Sequence, residues 1–141
     1  MPLRNGGWGL GLVARRGGEG GLLGYFFGPR RTDRPVLDDV RGHRSEDAVT
    51  VAYFSEARIV DGTWPVLGTL PSWRREDWPV PDFGFRYRDE PPERRHFDDS
   101  LHWTGSERMT IEDYERLRLP DSAFFGTEAI ELTLTRLLSA G

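Results

Sequence analysis

The chain has 141 residues, no cysteine and a formal net charge of −4 at pH 7. We expect a single domain over residues 1–141, because a chain of this length supports one core and not two. The negative charge disfavours a nucleic-acid partner. The missing cysteines exclude disulfides and thiolate metal sites. All 19 basic residues are arginines, and the absence of lysine excludes P-loop and Schiff-base chemistry.

The first predicted element is a β-hairpin. In residues 8–14, "WGLGLVA", large and small side chains alternate, which is typical of a strand with one buried face. A glycine-rich turn at 17–21 separates this strand from a second one at 22–28, "LLGYFFG". Ten of the 17 glycines lie between Gly6 and Gly28, where they would let strands bend or cross closely, as in a small barrel.

Two further strands are expected before residue 70. The stretch 47–54, "DAVTVAYF", is β-branched and aromatic and predicts a strand. After the Asp61-Gly62 turn, "TWPVLG" predicts a strand start or an edge strand, because Pro65 cannot donate to a ladder. We expect Trp64 to close one end of the core, with its indole N–H bonded to a nearby carbonyl.

The next stretch, 71–118, is polar. The prolines at 79 and 81 predict an extended strap that precedes a return to a sheet at "FGFRYR". Residues 85–118 predict an exposed hairpin followed by a short helix, "TIEDYERLR", with Thr110 as the N-cap and Asp113 three residues later.

The last element, beginning near Thr127, is open to two interpretations. Ile130, Leu134, Leu137 and Leu138 fit one face of a helix, although Ile130, Leu132 and Leu134 also alternate as in a strand. We favour the helix. The predicted fold is therefore α+β, a mostly antiparallel, strongly twisted sheet or a small SH3-like barrel with one or two helices. No apolar run has the length of a signal peptide or a membrane span, so a cytoplasmic location and no membrane partner are expected.

One group of residues suggests metal chemistry. His96, Asp98 and His102 have even spacing and would point the same way on a strand, where they could hold a zinc ion with an open position. A solvated face of a charged segment explains the same residues. We favour the solvated face, and we predict no catalytic residue, no metal site and no cofactor.

A second group suggests a protein-binding surface. Trp73, Trp78 and Trp103 stand among polar residues, so one or more of them would be exposed, and exposed tryptophans are frequent binding hot spots. For any single one of them, a ring packed over the sheet is the alternative. Asp98 and Asp99 form an acidic pair in the same polar region and would attract a basic partner. The predicted partner-contacting residues are Trp73, Trp78, Asp98, Asp99 and Trp103.

A family resemblance gives these residues a context. The segments "PLRNGGWGLGLVARR", "LGYFFGPR", "DGTWPVLG" and "LPDSAFFGTEAIELTLTRLLS" resemble the immunity protein 26 family of bacterial polymorphic toxin systems. The likeness covers most of the chain and is weakest at 84–118. It implies a non-enzymatic protein that neutralises a toxin domain by binding it. Similar sequences also carry a HocA-type phosphotriesterase label, so the alternative function is a small metal-dependent hydrolase that uses the His96, Asp98 and His102 region.

The family pattern also bears on self-association. It places an apolar strand before "PLRNGG", whereas this chain begins at Met1. Either the strand is missing or the start codon was assigned late. If the strand is missing, the edge of a neighbouring strand would be exposed, and such an edge predicts a weak homo-oligomer formed by strand pairing.

Overall fold

The computed structural model describes residues 1–139 and divides the chain into two compact units. Unit 1 consists of Met1–Pro79 and Phe124–Gly141, and unit 2 consists of Val80–Ala123. The fold is α+β, as predicted, with two open and mostly antiparallel sheets rather than a closed barrel. No helix of the described residues combines the length and the apolar character needed to cross a bilayer.

Unit 1 contains a four-stranded sheet and two α-helices. Its strands and helices are β1 (Trp8–Arg16), β2 (Gly21–Arg31), β3 (Thr50–Ser55), α1 (Ala57–Val60), β7 (Phe124–Phe125) and α3 (Thr127–Ser139). In the order β1-β2-β3-β7 of this sheet, β2 is antiparallel to both β1 and β3, and β7 pairs in parallel with β3. The predicted hairpin, the strand near 47–54 and the C-terminal helix are therefore confirmed.

The core of unit 1 lies where α3 packs on the sheet. Leu10, Leu12 and Ala14 are buried on the predicted face of β1, outside the cluster that α3 forms with the sheet. On α3, Ile130 and Leu134 are buried whereas Leu132 is 57% exposed, so the chain follows the helical period and not the alternating one. A Cβ at Gly9 would lie 2.4 Å from Leu134 Cδ2, so this glycine permits the close approach of the helix to β1.

The segment after α1 corrects one prediction. "TWPVLG" forms no strand: Gly62, Thr63 and Trp64 make a bend, and 65–70 run without regular structure. Trp64 nevertheless is a core residue, 5% exposed and packed on Phe54, as predicted. Its indole N–H donates to the Glu131 carboxylate at 2.8 Å rather than to a carbonyl.

Unit 2 contains a three-stranded antiparallel sheet in the order β4-β5-β6 and one helix. Its elements are β4 (Phe83–Phe85), β5 (Glu93–Phe97), β6 (Trp103–Arg108) and α2 (Ile111–Leu117). Thr110 caps α2, because its hydroxyl accepts a hydrogen bond from the Asp113 N–H at 3.1 Å. The return to a sheet after the strap, the hairpin and the short capped helix are all confirmed.

Candidate functional site

Three of the predicted contact residues lie together in unit 2, at the end of the β5–β6 hairpin. Asp98 and Asp99 follow β5 directly, and Trp103 begins β6. The turn is held by the Asp98 carboxylate, which accepts hydrogen bonds from the N–H groups of Ser100 and His102 at 2.9 and 3.0 Å. The bond from the His102 N–H is the main cause that lowers the pKa of Asp98, so this carboxylate stays charged.

Trp103 offers the largest exposed aromatic surface of this turn. Its side chain is 58% exposed, and its indole N–H donates to the Gly105 carbonyl at 2.9 Å. The Arg95 guanidinium lies 5.0 Å from the Trp103 ring centroid and 3.7 Å from that of Phe85. The indole is thus exposed and held in place, which lowers the entropy cost of using it as a contact.

The residues of the metal alternative do not form one face of a strand. β5 ends at Phe97, so Asp98 and His102 belong to the turn, whereas His96 belongs to the strand. His102 Nδ1 lies 3.4 Å from Asp98 Oδ2, and its side chain is 79% exposed. Within residues 1–139, no group of three or more ligating side chains is arranged to hold a metal ion.

His96 has a different environment, between two carboxylates of its own unit. Its ring nitrogens lie 2.8 Å from a Glu107 oxygen and 3.0 Å from an Asp82 oxygen. The hydrogen bonds to Glu107 and to Asp82, in that order, raise the pKa of His96. Partial burial raises the pKa of Asp82, but hydrogen bonds from Arg94 and His96 lower it more, so the net shift is downward. The arrangement is a cluster of charged side chains in which His96 of β5 contacts Asp82, which precedes β4, and Glu107 of β6.

The two remaining predicted contact residues belong to unit 1. Trp78 is 5% exposed and packs edge-on against Tyr25 and Phe27, with ring centroids 5.2 and 6.0 Å away. It is therefore part of the core of unit 1, the packed position that was the alternative for each of the three tryptophans, and its role as a partner contact stays a prediction. Trp73 is half-buried, and its indole N–H is shielded from solvent without a hydrogen-bond partner among the described residues.

Trp73 also lines a feature that the sequence did not suggest, a cavity of about 530 Å³ in unit 1. One wall is β1, and the other is the irregular segment 64–70. The lining is mainly apolar, and every charged side chain in it is an arginine: Arg15, Arg16 and Arg34. The apolar run "PVLGTL" is the part of the sequence that could have indicated this cavity. Its composition, however, predicts a strand of the sheet and not an irregular segment that lines a cavity.

Comparison with protein families shows a match over most of unit 1 and part of unit 2. Residues 1–94 match the model of the family described as immunity protein 26. Comparison with the curated proteins and with the solved structures gave no match. The matched part includes β1 to β4 and ends inside β5, so the turn that carries Asp98, Asp99 and Trp103 lies beyond it. The phosphotriesterase label has no support in this result.

Proposed function

Because the chain belongs to the immunity protein 26 family, we propose that it neutralises a bacterial toxin domain by direct, stoichiometric and non-covalent binding. The match over residues 1–94 is the observation that carries this proposal. Under this proposal, the protein catalyses no reaction. It acts in the cytoplasm as part of a polymorphic toxin system. Its partner is the toxin domain and is neither a nucleic acid nor a membrane.

The hairpin turn of unit 2 supports a binding role for Asp98, Asp99 and Trp103. Tryptophan is enriched at interface hot spots because it buries a large area at low entropy cost. Trp103 is 58% exposed and is held by Gly105 and Arg95, so it meets that description. The two neighbouring carboxylates would steer a basic surface of the toxin toward this turn.

Co-expression with candidate toxin domains from the same genome, each tried in turn, tests the function. We expect the growth of the host to be rescued and the two chains to co-purify as a complex in which each is present once. Mutation of the toxin's own catalytic residue is the control for toxicity. Toxin-induced arrest that persists although both chains are soluble and folded, with no complex in light scattering, would contradict the proposal.

Trp103→Ala tests the turn. We expect the affinity for the toxin to fall roughly thirtyfold, which corresponds to the loss of about 2 kcal/mol for a hot-spot side chain. Tyr87→Ala is the matched control, since Tyr87 is an aromatic of unit 2 that is 52% exposed and lies outside the turn. An equal loss in both variants would remove the turn from the interface.

A further inference from the structure

The tip of the β5–β6 hairpin holds an apolar residue in a strained backbone conformation. The Leu101 N–H donates to the Asp98 carbonyl at 3.0 Å, and the Asp98 N–H donates to the His102 carbonyl at 2.9 Å. These two bonds close a three-residue loop, 99–101, whose last residue has a φ of +67°. Glycine is expected at the last position of such a loop, because it adopts a positive φ without a steric cost. In this chain Leu101 occupies that position.

Leucine is unusual among the residues that share this conformation. In residues 1–139, four residues other than glycine have a positive φ. Three of them, Glu19, Arg88 and Arg118, have charged side chains and are exposed to solvent. Leu101 is the apolar member of the group, and a bulky side chain on left-handed backbone is an outlier. Its conformation therefore lowers the stability of the free protein.

Burial of the Leu101 side chain offsets only part of this strain. Leu101 is half-buried and is not one of the buried apolar residues of the described chain. Some of its apolar surface therefore stays in water, and the free energy of burial is incomplete. Glycine or asparagine would form the same turn with less strain. Strain that the fold does not require is typical of residues that contact a ligand or a partner.

Trp103 adds a second exposed apolar group two residues later. It is 58% exposed, and its indole N–H already donates to the Gly105 carbonyl at 2.9 Å. A partner can therefore cover the ring without depriving this donor of its hydrogen bond. The backbone of the turn is also fixed, because the Asp98 carboxylate accepts hydrogen bonds from the N–H groups of Ser100 and His102. The two apolar side chains of the tip are thus preorganised for contact.

The charge around the tip indicates what kind of surface covers it. Asp98 and Asp99 directly precede the strained part of the turn. The hydrogen bond from the His102 N–H is the main cause that lowers the pKa of Asp98, so its carboxylate is charged. An apolar pocket with basic side chains at its rim complements such a tip. A second copy of this chain is a poorer match, because two tips would bring like charges together.

We propose that Leu101 and Trp103 insert together into an apolar, basic-rimmed pocket of the partner protein, and that Leu101 determines specificity there. Leu101 is thus a contact residue in addition to those that the sequence predicted. The pocket buries the rest of its side chain, and this burial offsets the strain of the turn. The leucine lowers the stability of the free protein and raises its affinity for the partner. The identity of that partner as a toxin domain rests on the proposed function.

Replacement of Leu101 by residues that tolerate a positive φ tests the strain without any partner. Leu101→Gly and Leu101→Asn should raise amide protection in β5 and β6 about threefold, because they relieve the left-handed conformation. Leu101→Met keeps an apolar side chain of similar volume and should leave protection within about twofold of the original. A fall of protection in both the Gly and the Asn variant would show that the leucine stabilises the turn, and it would overturn the proposal.

The affinity is then measured with the toxin domain that the original chain neutralises in co-expression, after replacement of the toxin's own catalytic residue. In calorimetric titration, Leu101→Gly and Leu101→Asn should weaken binding about tenfold, the loss expected when a half-buried leucine can no longer become fully buried. Leu101→Met should stay within about threefold of the original. Combination of Leu101→Asn with Trp103→Ala should weaken binding by less than the product of the two single effects, because both side chains fill one pocket.

Arg88→Gly is the matched control for strain. Arg88 belongs to the same unit, is exposed and has a φ of +52°, so its replacement by glycine relieves a similar conformation outside the tip. It should raise stability and leave the affinity for the toxin within about twofold of the original. A loss of affinity equal to that of Leu101→Gly would assign the effect to turn flexibility and would overturn the role of the leucine side chain.

The remaining outcomes separate this proposal from the function on which it rests. Neutralisation by the original chain, with an affinity unchanged in Leu101→Gly and Leu101→Asn, would refute the role of Leu101 and leave the function intact. If the original chain neutralises no toxin domain, the proposed function fails, and the pocket on a toxin fails with it. A dimer in light scattering that Leu101→Gly converts to a monomer would assign the tip to a second copy and would also overturn the proposal.

Discussion

The two units of this chain are stabilised in different ways. Unit 1 has a continuous apolar core in which Phe26, Phe54, Trp64 and Leu134 pack together. In unit 2, Phe83 and Pro92 are the apolar side chains buried among the described residues. Its strands are joined instead by charged and aromatic contacts, such as those of Arg94 with Asp82 at 2.7 Å and of Arg95 with Phe85.

Stability and sensitivity to solution conditions are therefore expected in different units. Burial of apolar area stabilises a fold without regard to pH, whereas exposed ion pairs contribute little and depend on both pH and salt. Unit 1 should therefore carry most of the free energy of unfolding. Unit 2 should be the more responsive part, and its exposed turn at Asp98–Trp103 can change with little effect on the core.

Truncation of Trp64 is expected to give the largest effect. Trp64→Ala empties a site that is 5% exposed, and such a change typically costs about 3–5 kcal/mol. The measurement is the free energy of unfolding in urea. Trp103→Ala is the control of the same residue type in unit 2, and at 58% exposure it should change stability by less than about 0.5 kcal/mol. Equal losses in both variants would contradict the difference between the units.

Substitution of Glu131 should give the second largest loss of stability, because Glu131 is a buried carboxylate of unit 1. It is 5% exposed and accepts hydrogen bonds from Trp64 and from Arg4 Nε, each at 2.8 Å. Glu131→Gln keeps the shape and removes the charge, and we expect a loss of about 1.5–3 kcal/mol, the range for hydrogen bonds to charged groups.

Glu128→Gln is the matched control for Glu131. Glu128 lies one helical turn earlier, its side chain is 73% exposed, and its oxygen is 3.9 Å from an Arg4 nitrogen. An exposed pair of this kind should change the unfolding free energy by less than about 0.5 kcal/mol. If Glu128→Gln lowers the unfolding free energy as much as Glu131→Gln, the charge on α3 and not the burial of Glu131 would explain the loss of stability.

Much of the fold was predictable, because its elements are encoded by local signals. The alternation in "WGLGLVA" predicted β1, the helical spacing of Ile130 and Leu134 predicted α3, and Thr110 predicted the start of α2. The prediction of a strand in "TWPVLG" was wrong. A short apolar run is compatible with a strand and also with an irregular segment whose side chains line a cavity. Nothing local distinguishes those two environments.

The candidate site was predictable only in part, for a physical reason. Trp73, Trp78 and Trp103 look alike in sequence because each has polar neighbours, yet contacts with distant residues decide their burial. Trp78 is covered by Tyr25 and Phe27, which belong to β2. The cavity of unit 1 is lined by two segments about 50 residues apart, and no local pattern in the sequence indicates that they lie side by side. The family match suggests an immunity function, but it covers residues 1–94 and therefore does not include the turn.

The stability of unit 2 should depend on pH. This effect should be smaller than those of Trp64→Ala and Glu131→Gln, and its direction follows from two pKa shifts. The pKa of His96 is raised above its ordinary 6.5 by hydrogen bonds to Glu107 and Asp82. A raised pKa means that the charged ring stabilises the fold fully below pH 6.5 and that this contribution is lost as the pH rises through the folded pKa. For Asp82, whose pKa is lowered from 3.8, the contribution is present above that pH and is lost as the pH falls.

Nuclear magnetic resonance can follow this change in each unit separately. The His96 ring resonances should titrate above pH 6.5, and amide protection in β5 and β6 should fall over the same range while β1 and β2 stay unchanged. His96→Gln should remove this dependence. The control His102→Gln should preserve it, because the His102 side chain is 79% exposed. Titration of His96 at or below pH 6.5 would show that the two carboxylates do not stabilise its charged form.

The smallest expected effect is none at all, and it concerns the hydrolase alternative. With zinc, cobalt or manganese added, turnover of a model phosphotriester should stay at the rate of buffer with metal, and His96→Ala combined with His102→Ala should leave that rate unchanged. The reason is geometric: His96 is held by Asp82 and Glu107, whereas His102 lies in the turn beside Asp98. A catalytic zinc needs three ligands directed at one point, together with an open position for water. Turnover by the original protein that disappears in the double variant would show that unit 2 rearranges around a metal, and it would make the turn a catalytic element rather than a contact surface.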